Sequence, residues 1–312
     1  MHVPAHVPAH VPAHVPVARA DFGRVSVLFG AKNGKYPDGN QVLIRGSDTR
    51  AAFDTPLVSN HIGAEFDATE LVVMGHVHED HMAGLHRIPR AAVHVHEADL
   101  PAIRSWDGMV AAYGTGANSA TELLAMLQRD FLYAPRPDAQ GYLDGACWDL
   151  GQSRIRAFHM PGHTAGHCVL LVEPEGVAFT GDIDLTGFGP YYGDASSSLR
   201  DFRRSMAHLP DIPAKVWVTS HHRGVYTDRE HFLRDLAAFA AKLDEREQRV
   251  LAWLKASPKT LEQLVEQRLL YPPGYEAPWV VSAETRTISQ HLAELMADGR
   301  VQVDEEGVYR LA

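Results

Sequence analysis

Residues 71–81 read Leu71-Val72-Val73-Met74-Gly75-His76-Val77-His78-Glu79-Asp80-His81, an apolar run that breaks at a glycine into histidines and carboxylates. The four apolar residues have the length and composition of a buried strand. His76 and His78 stand one residue apart, so in an extended segment both side chains project to the same side and can share one metal ion. Asp80 and His81 follow where the chain turns toward a helix, and can face a second ion beside the first. Glu79 is expected to point away and is not counted as a ligand. A histidine-rich surface loop is the ordinary alternative in a chain with 19 histidines, but it does not account for the order of ligand types.

Three further segments end strands in the same way. Met160-Pro161-Gly162-His163-Thr164-Ala165-Gly166-His167 offers His163, which completes a three-histidine site with His76 and His78. Phe179-Thr180-Gly181-Asp182 delivers a carboxylate suited to bridging two cations. Val216-Trp217-Val218-Thr219-Ser220-His221-His222 ends in a pair of imidazoles. Singly, His163 reads as a turn residue, Asp182 as a helix cap and His221 as a surface side chain. Together they read as one constellation.

Outward from these segments, strands and helices alternate. Residues 25–29 and 41–45 read as strands around the turn Asn33-Gly34-Lys35-Tyr36-Pro37-Asp38-Gly39-Asn40, a hairpin-like opening. Further strands are expected at 51–53, 91–96, 154–159, 168–172, 177–180 and 215–219, with helices at 119–133 and 199–208. This is an α/β domain covering residues 21–243. From 244 to 312 helices at 246–255, 261–267 and 283–298 precede a Gly299 stop and a two-strand tail, a winged-helix-like outline. Residues 1–20 are a His-Val-Pro-Ala repeat. Proline at every fourth position excludes a regular helix there, so an extended or disordered tail is expected. Its His2, His6, His10 and His14 are read as part of a low-complexity leader rather than a metal site.

A chain of 312 residues suits one large domain with a small appendage. No apolar run approaches the roughly 20 residues of a membrane span. A formal charge of −10 argues against general nucleic-acid binding. Cys147 and Cys168 are too few for a disulfide framework, and are read as free thiols in a reducing, cytoplasmic compartment. The N-terminus lacks the basic start and continuous apolar core of a secretory signal, so no export is expected.

The chain resembles the metallo-β-lactamase superfamily, whose signature is HxHxDH, a PGHTxGH segment, a strand-ending GD and a late histidine, here in that order across roughly residues 25–231. The resemblance implies a four-layer αββα sandwich with metals at the sheet edge. By position it implies one ion on His76, His78 and His163, a second on Asp80, His81 and His221, and Asp182 between them. The family more often shows GHG where this chain has Ser220-His221-His222, so His221 is favoured and His222 is the alternative. Asp54 matches the acidic residue that supports the metal loop. Two divalent ions are implied, with zinc the default and iron or manganese suited to the same donors. A hydroxide formed between them would attack an electrophilic carbonyl or phosphorus, and Asp80 could take up the nucleophile's proton. His167 and Thr164 are expected to be supporting residues, and Cys168 a buried core thiol.

The aromatic stretch Gly187-Phe188-Gly189-Pro190-Tyr191-Tyr192-Gly193 lies just past Asp182, and its Tyr191 and Tyr192 are candidate pocket residues. The stretch from Ser105 to Asn118 is a candidate lid. The C-terminal segment resembles the small winged-helix-like domain of one branch of the superfamily, which includes thioester hydrolases and nucleases. Its helix carries Glu284, Glu294 and Asp298 beside Arg286 and Arg300, which favours packing or capping over DNA reading. Three functions are therefore weighed: a hydrolase of a small carbonyl substrate (thioester, ester or lactone), a phosphodiesterase or endoribonuclease of the same fold, and a non-enzymatic DNA-binding regulator. The first ranks highest, since the third leaves seven ligands unexplained. Neither a membrane nor a nucleic-acid partner is favoured, and a homodimer is allowed.

Overall fold

A computed structural model of the chain describes residues 17–312. The His-Val-Pro-Ala repeat through residue 16 lies outside the described residues. One seven-stranded sheet runs in chain order: β1 (Arg19–Phe22), β2 (Val25–Leu28), β3 (Gln41–Arg45), β4 (Arg50–Phe53), β5 (Leu71–Val73), β6 (Ala92–His96) and β7 (Gln140–Tyr142). A six-stranded sheet is built from β8 (Cys147–Asp149), β9 (Arg154–His159), β10 (Cys168–Glu173), β11 (Val177–Phe179), β12 (Val216–Val218) and β13 (Val225–Tyr226). β1 begins at Arg19, so the last two residues of the segment expected as a tail are strand. The Arg19 guanidinium ties that strand down through Glu65 at 2.7 Å and Ser26 at 2.5 Å.

Alternation along the strands sorts side chains into layers, because successive residues face opposite sides of a sheet. Val25, Val27, Val42 and Ile44 of the first sheet meet Ile155, Leu170, Val172 and Val218 of the second in one buried cluster. Their outward neighbours pack on helices. Leu43, Val72, Val93 and Val95 lie against Ile103, Met109, Leu123 and Leu127, and Val169, Leu171 and Trp217 against Phe202, Phe232, Leu236 and Phe239. The result is the four-layer αββα sandwich.

The Arg229–Ala256 helix is longer than the sequence reading, which began it at 246. Asp228 caps its first turn by accepting from the N–H groups of Glu230 and His231. Phe232, Leu236, Phe239 and Leu243 give its first half an apolar stripe on the sandwich. Val250 and Leu254, further along, join a separate cluster with Leu264, Ile288, Leu292, Leu295 and Val301. Around that cluster stand the Leu261–Glu266 and Val280–Ala297 helices and a three-stranded sheet of β14 (Lys259–Thr260), β16 (Val308–Leu311) and β15 (Val301–Val303), in that order. Among the described residues no helix is long and apolar enough to cross a membrane.

Candidate metal centre

Strand direction brings the expected segments together. β4 and β5 are parallel, as are β11 and β12. β9 and β11 are each antiparallel to β10 and so run the same way. The C-terminal ends of β4, β5, β9, β11 and β12 therefore open at one edge of the sandwich. The Cys168 N–H donates to the Gly75 carbonyl at 2.7 Å, stitching the two sheets beside the site. Asp99 crosslinks the loops: its carboxylate accepts from Val77 N–H at 3.2 Å, Thr164 hydroxyl at 2.7 Å and Gly166 N–H at 2.8 Å. Gly162, at φ +137°, presses on the backbone of Phe202, where any Cβ would collide.

At that edge His78 Nδ1 lies 3.2 Å from His76 Nε2 and 3.0 Å from His163 Nε2. Asp182 turns Oδ2 toward His163 Nε2 at 3.4 Å, and Oδ1 toward His81 Nε2 at 3.1 Å and His221 Nε2 at 3.4 Å. Asp80 Oδ2 is 3.1 Å from His221 Nε2 and 3.7 Å from His81 Nε2. The donor atoms of His76, His78, His163 and Asp182 all lie within 4.8 Å of one another, as do those of Asp80, His81 and His221. Asp54, His76 and His81 satisfy the same spacing. Asp54 stands behind the cluster, however, with its oxygens on Gly75 N–H and His81 Nδ1, each at 2.7 Å.

The donors fit divalent cations. His81 Nε2 and Asp182 Oδ1 are buried and close, yet neither makes a hydrogen bond. Imidazole nitrogens converging at 3.0–3.2 Å need a shared proton or a cation between their lone pairs, and a divalent cation suits three such donors at once.

The ring nitrogens on the far side of the cluster are held. His78 Nε2 meets Asp194 Oδ2 at 2.6 Å, and the Tyr191 hydroxyl donates to Asp194 Oδ1 at 2.9 Å. His163 Nδ1 donates to the Tyr191 carbonyl at 2.9 Å, and His221 Nδ1 to the Gly34 and Asp38 carbonyls at 2.9 Å. Such partners fix tautomer and ring orientation in metal-ligating histidines. His76 Nδ1 is buried without one. Burial drives His163 down to about 3 and His76 well below its usual range, leaving both neutral. Burial opposes the proton on His78, yet the Asp194 charge lifts it to about 9. His221 rises against burial to about 10 through Asp182 and Asp80. Asp182 stays ionised although buried, because His221, His81 and His163 hold it well below the carboxylate range.

His167 sits beneath Asp182, accepting its backbone N–H at 3.2 Å on Nε2 and donating from Nδ1 to the Met160 carbonyl at 3.1 Å. His222, at φ +54°, lines the cavity over the cluster while His221 enters the cluster itself. Tyr192 turns away, fully buried against His291 Nε2 at 2.7 Å. Glu79 is absent from the converging donors but not remote: it lines the cavity and accepts from the hydroxyls of Tyr36, at 3.0 Å, and Tyr113. The sequence reading named none of Asp194, Asp99, Tyr36 or the cavity-lining Asp184 as a site residue, and held Tyr113 only as part of the 105–118 lid stretch. It also missed Tyr271, Tyr275 and Trp279, which reach the cavity from the C-terminal segment. No local pattern marks any of them.

The cavity, of about 380 Å³, is floored by His78, Asp80, His163, Asp182 and His221 and walled by aromatic rings. No lysine or arginine lines it. Two facing sheets, helices on both outer faces and a histidine/aspartate cluster at the shared edge define a metallo-hydrolase of the αββα class. The family model of the metallo-β-lactamase superfamily matches residues 71–221. The chain belongs to this superfamily and is a metal-dependent hydrolase. It is 22% identical over 279 residues to the beta-lactamase-like protein 2 homolog of Drosophila melanogaster, covering 86% of this chain and 85% of that one. It is 28% identical over 171 residues to the acyl-coenzyme A thioesterase MBLAC2 of Homo sapiens, spanning 49% of this chain and 61% of the human one. A metallo-beta-lactamase family protein from Thermus thermophilus superposes with a TM-score of 0.65 at 25% identity, over 88% of this chain and 94% of that one.

Proposed function

We propose that the protein hydrolyses a small acyl thioester, with His76, His78 and His163 holding one divalent cation, Asp80, His81 and His221 a second, and Asp182 serving both. Zinc is the default for these donors, and iron or manganese fits the same residues. When bound, such cations supply Lewis acidity, bringing the pKa of water from 15.7 toward roughly 7 and polarising a carbonyl oxygen. The chain's own residues orient and move protons. Asp54, Asp194 and the Tyr191 carbonyl hold the rings of His81, His78 and His163 in place. Asp80 is the carboxylate placed to accept the proton of the attacking water.

The observation that carries this reading is the cavity itself, aromatic-walled and lined by no lysine or arginine directly over the cluster. A phosphodiester chain would call for a basic track there. The named activity of the human relative, an acyl-coenzyme A thioesterase, supports the thioester class. A DNA-reading role is disfavoured because the Val280–Ala297 helix is spent on packing: Arg286 donates to the Tyr113 carbonyl at 3.0 Å, and Gln290 to the Tyr192 carbonyl at 3.0 Å. We read residues 244–312 as a winged-helix-like unit that caps the catalytic domain, a division supported by the separate apolar clusters along the Arg229–Ala256 helix. The free thiols, Cys147 exposed and Cys168 buried, support a reducing cytoplasmic setting.

Metal-stripped protein reloaded with zinc, iron or manganese should be assayed on an acyl thioester, a lactone and single-stranded RNA. Thioester turnover is expected, lost with bound metal in Asp182→Ala or His78→Ala while circular dichroism shows a retained fold. A preference for RNA that persists at moderate salt would overturn the assignment.

A further inference from the structure

Resting on the thioester reading, we infer that the acyl group is planar and aromatic, and that the C-terminal segment selects it. Three aromatic side chains are exposed among the described residues, Tyr36 (39%), Phe188 (44%) and Tyr275 (41%), and all three line this one cavity. An exposed cluster of rings at the mouth of a site is what an aromatic ligand would cover. The rings are also preset. Tyr271 and Tyr275 stack with centroids 5.2 Å apart and planes 10° apart, and Phe188 lies 6.0 Å from Tyr271. Trp279 Nε1 donates to the Tyr271 hydroxyl at 3.0 Å. Behind this wall the buried Glu284 carboxylate accepts from the N–H groups of Leu269, Leu270 and Tyr271 at 2.7, 3.0 and 2.9 Å. Flat, fixed faces gain more from an offset-stacked or edge-on ring than from a flexible alkyl chain, which loses rotamer freedom on entry.

The cavity of about 380 Å³ has room for a fused two-ring group but not for a nucleotide-bearing thiol carrier as well. The aromatic group therefore belongs to the acyl side and the carrier extends into solvent. Hydrolysis breaks the acyl C–S bond and forms a C–O bond from water; the thiol leaves with a proton and the arylacyl group departs as a carboxylic acid.

The test compares N-acetylcysteamine thioesters of acetate, octanoate and 2-naphthylacetate on the metal-loaded full chain, with calorimetric binding of 2-naphthylacetate measured separately. The naphthylacetyl thioester is expected to exceed both others in kcat/KM by about 100-fold over acetyl, the scale for burying a large ring. Tyr275→Ala should shrink that ratio at least tenfold and weaken 2-naphthylacetate binding, Tyr275→Phe should restore both, and Leu143→Ala, exposed and outside the cavity lining, should change neither. Equal kcat/KM across the series, or octanoyl in first place, overturns the inference and leaves the thioesterase reading intact. Naphthylacetate binding that depends on Tyr275 without turnover of any thioester supports the aromatic slot and overturns the thioesterase reading instead.

Discussion

Asp194 Oδ2 stands 2.6 Å from His78 Nε2, although 116 residues separate the two in the chain. The carboxylate sits on the far side of the imidazole from the cluster, so it fixes which nitrogen faces the cations and strengthens that nitrogen as a donor. Asp194→Ala is expected to weaken divalent-metal binding about 10–100-fold, with Asp194→Asn falling between it and the native chain. Equilibrium dialysis against zinc checks this, and an unchanged affinity in Asp194→Ala would contradict it.

Metal uptake should release protons. With no cation in place, neighbouring carboxylates keep His78 protonated up to about 9 and His221 up to about 10. A ligating nitrogen must first lose that proton, so affinity falls as pH falls, by about tenfold per pH unit for each proton displaced. Zinc titrations at pH 6 and pH 8 should differ by about 100-fold or more, and calorimetry in buffers of different ionisation enthalpy should register net release. Affinity independent of pH would show that the two imidazoles are already neutral.

His291 gives the fold an acid-sensitive point away from the cluster. Burial, with Arg203 and Arg246 close by, pushes it down to about 3, and its Nε2 meets the Tyr192 hydroxyl at 2.7 Å. The unfolded chain takes up this proton near pH 6.5 while the folded chain resists it. The associated stability is complete above 6.5 and is lost as pH falls toward 3. By pH 5 the loss is about 2 kcal/mol. Urea unfolding of metal-free protein at pH 7 and pH 5, compared between the native chain and His291→Gln, isolates this share: the variant should lose about 2 kcal/mol less over the interval, the remainder coming from buried histidines such as His163 and His76.

Glu284 anchors the wall of the cavity through three backbone N–H donors while itself fully buried. Bonds to a charged acceptor contribute about 1.5–3 kcal/mol each, and truncation leaves the donors buried and unpaired. Glu284→Ala should therefore destabilise the chain by at least about 3 kcal/mol, and Glu284→Gln by less. Denaturant midpoints decide this. A loss under about 1 kcal/mol would mean that water replaces the carboxylate.

Much of the sandwich was legible because its strands are short apolar runs stopped by glycine or polar residues. Those at 71–74, 168–172 and 177–180 appear as β5, β10 and β11 nearly residue for residue. The first half of the Arg229–Ala256 helix was overlooked although Phe232, Leu236, Phe239 and Leu243 repeat at helical spacing behind an Asp228 cap. Tyr191 and Tyr192 were indistinguishable as pocket candidates. Only the path of an irregular loop turns the first toward the cavity and the second onto His291.

The sequence alone determined which residues could hold metal, since spacing within a strand end fixes which side chains project together and the order of His, Asp and Gly at four such ends is restrictive. Tertiary structure decided what stands behind and above them. Asp194, Asp99 and the Tyr271, Tyr275 and Trp279 wall act across long chain separations, and that proximity is set by how sheets and helices pack rather than by any local pattern.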